Sequence, residues 1–231
     1  MANKSRRARE NAEKVDRTKV YDMNEAFDTL KGFRKAKFDE TVEVVVRLGV
    51  DPKKSDQMVR GAVSLPHGLG KQVRVVAFAE GEIADACKEA GAIEVGSDEL
   101  AAKIEGGWTD FDVVIAHPSM MRVVGKLGRV LGPQGKMPSP KSGTVTPNAA
   151  QAVSDFCAGK IEFRVDSGSN LHVPVGKASF SSEQLTDNTR AFLDYVMTLR
   201  PATAKGAYIR NISVSTTMGP GLKVDPATVT A

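Results

Sequence analysis

Two stretches of the sequence contain lysine and arginine but no carboxylate. The first covers residues 113–154. Its basic side chains are Arg122, Lys126, Arg129, Lys136 and Lys141. The second covers residues 195–224, with Arg200, Lys205, Arg210 and Lys223. Because no nearby acid neutralises them, both keep a positive potential that attracts phosphates. Either stretch alone is compatible with chance on a solvated surface, whereas the two together favour a polyanionic partner.

The second stretch ends in a row of small hydrogen-bonding side chains. Residues 207–217 alternate as a strand does. One face carries Tyr208, Arg210, Ile212, Val214 and Thr216, and the other carries Ile209, Asn211, Ser213, Ser215 and Thr217. Hydroxyl and amide groups on the second face suit ribose hydroxyls and phosphate oxygens. The pattern is equally compatible with a solvent-facing strand rich in β-forming residues.

Two segments resemble nucleotide-binding motifs but lack the residues or the position that those motifs require. Gly135-Lys136 resembles the end of a P-loop, but Val130 stands at the required earlier glycine and Met137 replaces the Ser/Thr. The segment Gly68-Leu69-Gly70 precedes a predicted strand, whereas a dinucleotide-binding fingerprint follows one.

The three histidines also give no sign of catalysis. His67, His117 and His172 are not spaced as metal ligands. His117, directly before Pro118, is interpreted as a structural or capping residue. We therefore predict a protein without catalytic residues, metal or cofactor. A nucleotide-dependent enzyme built on the middle of the chain is the alternative.

Composition sets further limits. The chain has 231 residues, a formal charge of +4 and only 6% aromatic residues, which disfavours broad stacking on single strands. No run approaches the roughly 18 apolar residues of a membrane helix. Residues 1–14 are too polar for a secretory signal, so we expect a cytoplasmic protein with no membrane partner. Cys87 and Cys157 each lie in a short helical pattern and are expected to be buried, reduced thiols.

Half-buried strands lie toward both ends of the chain. Residues 38–48 alternate, with Phe38, Glu40, Val42, Val44, Val46 and Leu48 on one face. Residues 160–165 and 171–175 also have strand patterns. Helices are predicted over 24–36, with Asn24 as N-cap, and over 182–199, with Ser181 or Ser182 as N-cap. These elements predict an α+β domain with an antiparallel sheet.

The middle of the chain has a different pattern. Apolar runs at 73–79 and 113–116, with a short strand at 93–95, alternate with helical patterns at 82–90 and 97–105. Strand and helix alternation with buried strands is typical of a parallel α/β sheet. We therefore predict that residues 68–158 form an α/β domain inserted into a discontinuous domain of residues 1–67 and 159–231. Residues 66–70 and 158–159 are the predicted hinges.

The charge divides unevenly between these domains. Residues 1–67 contain 15 Lys/Arg and 11 Asp/Glu, and residues 159–231 contain 8 and 6, so the discontinuous domain carries +6. Residues 68–158 contain 9 and 11 and carry −2. The domain built from both termini is therefore the predicted main contact for a polyanion.

Six segments spread over nearly the whole chain carry a family resemblance. The most distinctive is residues 125–143, a predicted loop rich in Gly, Pro and basic residues whose N–H groups can meet phosphates. The others are 36–43 (AKFDETVE), 56–61 (DQMVRG), 65–71 (LPHGLGK), 176–180 (GKASF) and 216–220 (TTMGP). Together they resemble the bacterial L-one family of large-subunit ribosomal proteins.

The resemblance implies a fold and a function. The fold would be a terminal-built α+β domain with an inserted Rossmann-like α/β domain. The function would be structural: binding of large-subunit rRNA at the mobile stalk, assistance in movement or release of exit-site tRNA, and translational repression of the mRNA of its own operon. The family also implies a monomer within the ribosome, with no dedicated small-molecule ligand.

The resemblance further implies site residues at matching positions. The expected RNA-binding residues are Lys37, Phe38, Thr41, Glu43, Thr217, Met218 and Gly219, followed by His172, Lys177 and Ser179. Lys37 would neutralise a phosphate, and the threonines would hydrogen bond to ribose or backbone. Phe38 and Met218 would pack on sugars, or alternatively only within the sheet. The five basic residues of 113–154 form a secondary basic loop, where Lys136 and Ser139 depart from the family pattern.

Overall fold

The computed structural model describes residues 5–229. Residues up to Gly70 and from Phe163 onward form one compact unit, called the terminal unit below, and Lys71–Glu162 form a second, the inserted unit. The helices are α1 (Arg6–Glu13), α2 (Met23–Lys31), α3 (Glu82–Glu89), α4 (Asp98–Glu105), α5 (Met121–Lys126), α6 (Gly128–Leu131), α7 (Ala149–Ala158) and α8 (Ser182–Thr198). The strands are β1 (Thr41–Leu48), β2 (Arg60–Ser64), β3 (Val75–Phe78), β4 (Glu94–Gly96), β5 (Val113–Ala116), β6 (Lys160–Arg164), β7 (Asn170–Lys177), β8 (Ile209–Thr216) and β9 (Leu222–Val224). Short 3-10 turns lie at Pro118–Met120, Pro140–Ser142 and Pro226–Val229.

The terminal unit is built on an antiparallel sheet with strand order β7-β1-β8-β9. The alternation predicted for β1 is confirmed, since Val42, Val44, Val46 and Leu48 are buried. Helices α2 and α8 pack on this face of the sheet. They contribute the buried side chains Phe27, Leu30, Leu185, Phe192 and Leu193. One sheet face is therefore apolar and covered, and the other carries the polar positions of each strand.

The two helices that cover the sheet begin at side-chain caps. The cap predicted for α8 is Ser181, which forms a reciprocal capping box with Gln184. The prediction for α2 was wrong at both ends. Its N-cap is Asp22, whose side chain accepts from the N–H of Asn24, and Gly32 ends it, so residues 32–36 are outside the helix.

Helix α1 and strand β9 were not predicted. Helix α1 has one buried residue, Asn11, and therefore no apolar stripe to detect. The Asn11 side chain accepts from the N–H of Arg34 at 2.8 Å and donates to its carbonyl at 3.2 Å. The buried amide of Asn11 thus joins α1 to the segment that leads into β1, and the ion pair of Arg34 with Glu10 links the same two segments.

The inserted unit contains a three-stranded parallel sheet with order β4-β3-β5. All four residues of β3 are buried, which confirms the prediction that this run forms a buried strand. The prediction of a continuous loop over 125–143 was wrong. Residues 121–131 are largely helical because Val124, Leu127 and Leu131 recur at helical spacing and are buried in the core of this unit.

The cysteines differ in burial. Both are free thiols, Cys87 is buried as predicted, and Cys157 is exposed, contrary to the prediction. Cys157 occupies the last turn of α7, whose buried side is lined by Val153 and Phe156. Among residues 5–229, no group of His, Cys, Asp and Glu could hold a metal ion, and no helix is long and apolar enough to cross a membrane.

Candidate nucleic-acid interface

Three segments that are far apart in sequence meet at the start of β1. In the sheet, Thr41 lies opposite Lys177 of β7, and the next residue, Val42, lies opposite Thr216 of β8. The Thr217 N–H donates to the carbonyl of Thr41 at 3.0 Å. Residues near positions 40, 178 and 217 therefore share one end of the sheet.

The Thr217 side chain extends the β1–β8 ladder beyond its last backbone pair. Its Oγ1 accepts from the Thr41 N–H at 3.0 Å and lies 3.3 Å from the Thr41 carbonyl, to which it can donate. A hydroxyl thus substitutes for the backbone groups of a further strand residue. Thr217 is nevertheless exposed, so the same side chain also faces solvent.

Lys177 places a positive charge beside the Thr41 hydroxyl. Its Nζ donates to Thr41 Oγ1 at 2.9 Å. An ammonium has three donors, so two remain for another acceptor. Lys37, on the chain just before β1, is exposed. The start of β1 therefore carries cationic and hydroxyl groups on one accessible surface.

The carboxylate of Glu40 holds this end of the sheet together. Glu40 is only 5% exposed. Its Oε1 accepts from the Ala36 N–H at 2.8 Å, and its Oε2 accepts from the Met218 N–H at 3.1 Å. Burial alone would raise the pKa of Glu40, but hydrogen bonds from Thr216, Ala36 and Met218, with the nearby charge of Arg7, lower it below its ordinary value.

Sequence reasoning placed Glu40 on the buried face of a strand without assigning it a role. The available signal was an acidic residue in phase with Val42, Val44 and Val46, a position where an unpaired carboxylate is costly. Residues 38–40 were predicted as strand and are not, because the Glu40 side chain bonds back to Ala36 and bends the chain there.

Asp39 and Ser179 join the β7 end to the same surface. The Ser179 N–H and hydroxyl both donate to the Asp39 carboxylate, at 3.1 and 2.7 Å, and the Ala178 N–H donates to the Glu40 carbonyl at 2.8 Å. Ser179, a predicted site residue, therefore lies beside the segment that contains Lys37 and Phe38.

Two large apolar side chains are exposed next to these polar groups. Phe38 is 55% exposed and Met218 is 54% exposed. The alternative in which both pack within the sheet is therefore wrong. Phe38 lies two residues before Glu40 in the sequence, and Met218 donates its N–H to the Glu40 carboxylate. We call the surface formed by residues 37, 38, 41, 43, 177, 179 and 217–219 the Thr41 edge.

Gly219 closes the turn at this edge. A Cβ at this position would lie 2.3 Å from Thr216 Oγ1, closer than any side chain permits. The Gly219 N–H donates to the Thr216 carbonyl at 3.1 Å. Its role in the structure is therefore the tight return of the chain after β8, which presents Thr217 and Met218.

Glu43 of the Thr41 edge and His172, the one predicted residue of the terminal unit outside it, lie on the outward sheet face. Exposed Glu43 pairs with Ser215, and exposed His172 lies opposite Val45, whose other neighbour is Ser213. His172 Nε2 is 3.3 Å from Asp166 Oδ2.

The predicted row of hydrogen-bonding side chains lies on β8, where Asn211, Ser213 and Ser215 alternate along the strand and each is half-buried. Arg210, which the alternation places on the same face as Ile212 and Val214, is exposed, because a register shift interrupts the β1–β8 pairing there.

The secondary basic residues belong to the inserted unit. Arg122 and Lys126 are exposed at positions i and i+4 on one face of α5, and Arg129 is exposed on α6. Lys141 is exposed in the 3-10 turn Pro140–Ser142. The Lys136 side chain bonds within the inserted unit, where its Nζ donates to the Thr109 carbonyl at 3.0 Å.

His117 acts as a cap. Its side chain accepts from the Ser119 N–H at the start of the 3-10 turn after β5. The prediction of a structural or capping residue is confirmed.

Comparison with known proteins identifies relatives over nearly the whole chain. Residues 30–220 match the model of the family described as "Ribosomal protein L1p/L10e family". The chain is similar to the large ribosomal subunit protein uL1 of Cutibacterium acnes, with 57% identity over 223 residues that cover 96% of each chain. It is also similar to uL1 of Thermosipho melanesiensis, with 53% identity over 231 residues and 100% of each chain.

Proposed function

The chain belongs to the ribosomal protein L1p/L10e family, and on that premise we propose that the Thr41 edge is its contact surface for large-subunit rRNA. It is a structural, non-enzymatic protein of the large ribosomal subunit, and its partner in the ribosome is rRNA. Its cellular place is therefore the ribosome in the cytoplasm. The alternative of a nucleotide-dependent enzyme is not retained, because the family consists of structural proteins.

The observation that carries the proposal is the combination of fixed polar groups with exposed apolar ones. The Thr41 hydroxyl is held by the ammonium of Lys177, and the Thr217 hydroxyl is held by the backbone of Thr41, before any ligand binds. Phe38 and Met218 lie uncovered beside them. An RNA backbone that docks there would bond to prearranged groups while its sugars cover apolar surface and exclude water, which strengthens the polar contacts.

The chemistry favours recognition of folded RNA over stacking on single strands. Phe38 is the one aromatic residue of the Thr41 edge, whereas hydroxyls and lysines dominate it. Such groups bond to ribose 2′-hydroxyls and phosphates, which present the shape of a folded RNA. The half-buried row of Asn211, Ser213 and Ser215 on the neighbouring sheet face extends the same chemistry along β8.

The finer functions follow the family and belong to the same proposal. The rRNA site would be the mobile stalk, where the protein assists movement or release of exit-site tRNA. A similar structure in its own mRNA would bind the Thr41 edge and repress translation. The inserted unit would be a Rossmann-like domain that hinges at residues 66–70 and 158–159. Its exposed Arg122, Lys126 and Arg129 would form a second contact with RNA.

Hydroxyl-radical footprinting of large-subunit rRNA with the full-length protein tests the main proposal. The wild-type protein should protect one region and resist competition by scrambled duplex RNA at moderate salt, because specific binding exceeds nonspecific binding by roughly 10³ or more. A Lys37→Ala, Lys177→Ala double variant should lose this protection. A matched Lys53→Ala, Lys54→Ala variant removes two exposed charges elsewhere on the terminal unit and should keep it. Equal protection by both variants would exclude the Thr41 edge.

A further inference from the structure

A groove of about 390 Å³ runs along the terminal unit beside the Thr41 edge. One side is formed by the end of α1 and the loop after it, and the other by the turn into β9. The lining residues are Ala12, Val15, Asp16, Arg17, Lys19, Pro220, Gly221 and Lys223. Its volume is in the range of about 300–1,000 Å³ that is usual for ligand sites. The proposed function does not use this groove.

The charges that line the groove are predominantly positive. Arg17 and Lys223 are exposed, and within residues 5–229 neither side chain has a hydrogen bond or ion pair. Lys19 forms an ion pair with Glu25, and its Nζ lies 4.8 Å from the centre of the Tyr21 ring. Two cationic side chains are therefore free to meet an anion in the groove.

The single acid of the lining is occupied within its own turn. Asp16 Oδ1 accepts from the Thr18 hydroxyl at 2.6 Å and from the Thr18 N–H at 2.8 Å. These two bonds lower the pKa of Asp16. The carboxylate is thus a loop cap rather than the partner of either free cation.

The groove walls are fixed to each other. The Tyr21 N–H donates to the Lys223 carbonyl at 2.9 Å, and the Asp225 N–H donates to the Tyr21 carbonyl at 3.1 Å. The Tyr21 hydroxyl in turn accepts from the Asp16 N–H at 3.1 Å. Because these bonds exist without a ligand, binding in the groove orders little additional backbone.

The groove continues the Thr41 edge without a break in the chain. Pro220 and Gly221 follow directly after Met218 and Gly219, and Lys223 pairs with Ser213 of the hydrogen-bonding row on β8. We propose that the groove holds a sugar–phosphate segment of the same RNA that docks on the Thr41 edge, with Arg17 and Lys223 each neutralising a phosphate. The inference rests on the proposed function and adds a sequence-independent contact that fixes the register of the RNA.

Salt titration tests the groove in the full-length protein. Each phosphate neutralised adds about 0.9 for duplex or about 0.7 for single-stranded RNA to the slope of log affinity against log salt. An Arg17→Ala, Lys223→Ala variant should therefore lose roughly 1.4–1.8 from the slope measured with large-subunit rRNA. The Lys53→Ala, Lys54→Ala variant, which loses the same charge, should keep the wild-type slope. Thermal unfolding establishes that both variants are folded.

A lysine-acetylation footprint gives a second measurement that needs no substitution. With large-subunit rRNA bound to the wild-type protein, Lys223 should be protected and Lys53 and Lys54 should stay reactive. The groove proposal is wrong if the groove variant keeps the wild-type slope and Lys223 stays reactive while the wild type still prefers rRNA over scrambled duplex. If the wild type shows no such preference, the proposed function fails and the groove proposal fails with it.

Discussion

Glu40 Oε2 accepts a hydrogen bond from the N–H of Met218 at 3.1 Å, although 178 residues separate them in the sequence. The other carboxylate oxygen accepts from Ala36. One buried side chain therefore fixes the approach to β1 and the turn after β8. The surface that carries Phe38 and Met218 depends on this bond, and buried Glu40 is therefore a positioning residue for the proposed interface.

Substitution of Glu40 by glutamine should destabilise the fold by about 1–3 kcal/mol, because an amide has one acceptor oxygen and leaves one of the two backbone N–H groups unpaired. Denaturant unfolding monitored by circular dichroism measures this change. Glu43→Gln, at an exposed position on the outward face of β1, is the control and should change stability by less than about 0.5 kcal/mol. Equal effects of the two substitutions would contradict the role given to Glu40.

The same carboxylate predicts a loss of stability in acid. Its pKa lies below the ordinary value of 4.5 in the folded protein, so folding favours the ionised form. The stabilisation is present above about pH 4.5 and is lost as the pH falls through the folded pKa. The difference in unfolding free energy between wild type and Glu40→Gln should therefore shrink between pH 6 and pH 3. A constant difference over that range would show that ionisation of Glu40 does not contribute.

Thr217→Val removes the hydroxyl that bonds to both backbone groups of Thr41. Binding to large-subunit rRNA should weaken by roughly 1–2 kcal/mol, which is about a five- to thirtyfold rise in Kd. Thr217→Ser keeps the hydroxyl and should bind nearly as well as wild type. Thr198→Val removes an exposed hydroxyl bond at the end of α8 and serves as a control. Unchanged Kd in the Thr217→Val variant would remove this residue from the interface.

Gly219→Ala should destabilise the turn after β8, since the added Cβ would meet Thr216 Oγ1 at 2.3 Å. The cost should exceed about 1 kcal/mol in thermal or denaturant unfolding, as expected for overpacking. Gly221→Ala, two residues later, places its Cβ 3.9 Å from the nearest atom, the Val214 carbonyl oxygen, and should be tolerated. If both alanine variants unfold at the same denaturant concentration, the close approach at Gly219 does not affect the free energy of unfolding.

Tyr208→Phe should leave the fold as stable as wild type or stabilise it by about 1 kcal/mol, because the buried phenol oxygen has no hydrogen-bond partner among the described residues. Burial raises the pKa of Tyr208 to about 12, and the charge of Arg200 only partly opposes this. The neutral form is therefore favoured in the folded state, and stability should fall as the pH rises from 10 towards 12. The phenylalanine variant should lack this contribution. A clear loss of stability at pH 7 would indicate an unrecognised partner for the hydroxyl.

Periodicity predicted much of the sheet framework. Alternation predicted the strands that the structure contains as β1, β6 and β8, and the apolar run at 113–116 coincides with β5. These signals are strong because each strand has one covered and one open face, or two covered faces. Helix α1 was missed because its one buried residue is Asn11, and β9 was missed because it has only three residues, although Leu222 and Val224 are buried.

The candidate site was less accessible to sequence reasoning. Residue types and family resemblance marked Thr41, Lys177 and Thr217, but not the bonds that bring them together across the chain. Phe38 was assigned to a strand because it is in phase with Val42 and Val44, whereas Glu40 bends the chain before the ladder begins. The glycines of 125–143 suggested a loop, although buried Val124, Leu127 and Leu131 make its first part helical.

The position of β8 between β1 and β9 has a consequence for synthesis. A nascent chain that ends before residue 208 contains Lys37, Phe38 and Lys177 but lacks the strand that pairs with β1 and the N–H that Glu40 accepts. Such a chain carries the charge for loose attraction to RNA without the assembled edge. On the proposed function, selective recognition would require a chain in which Thr217 and Met218 have been synthesised and have paired with the start of β1, and a copy that lacks them would not compete for the RNA site.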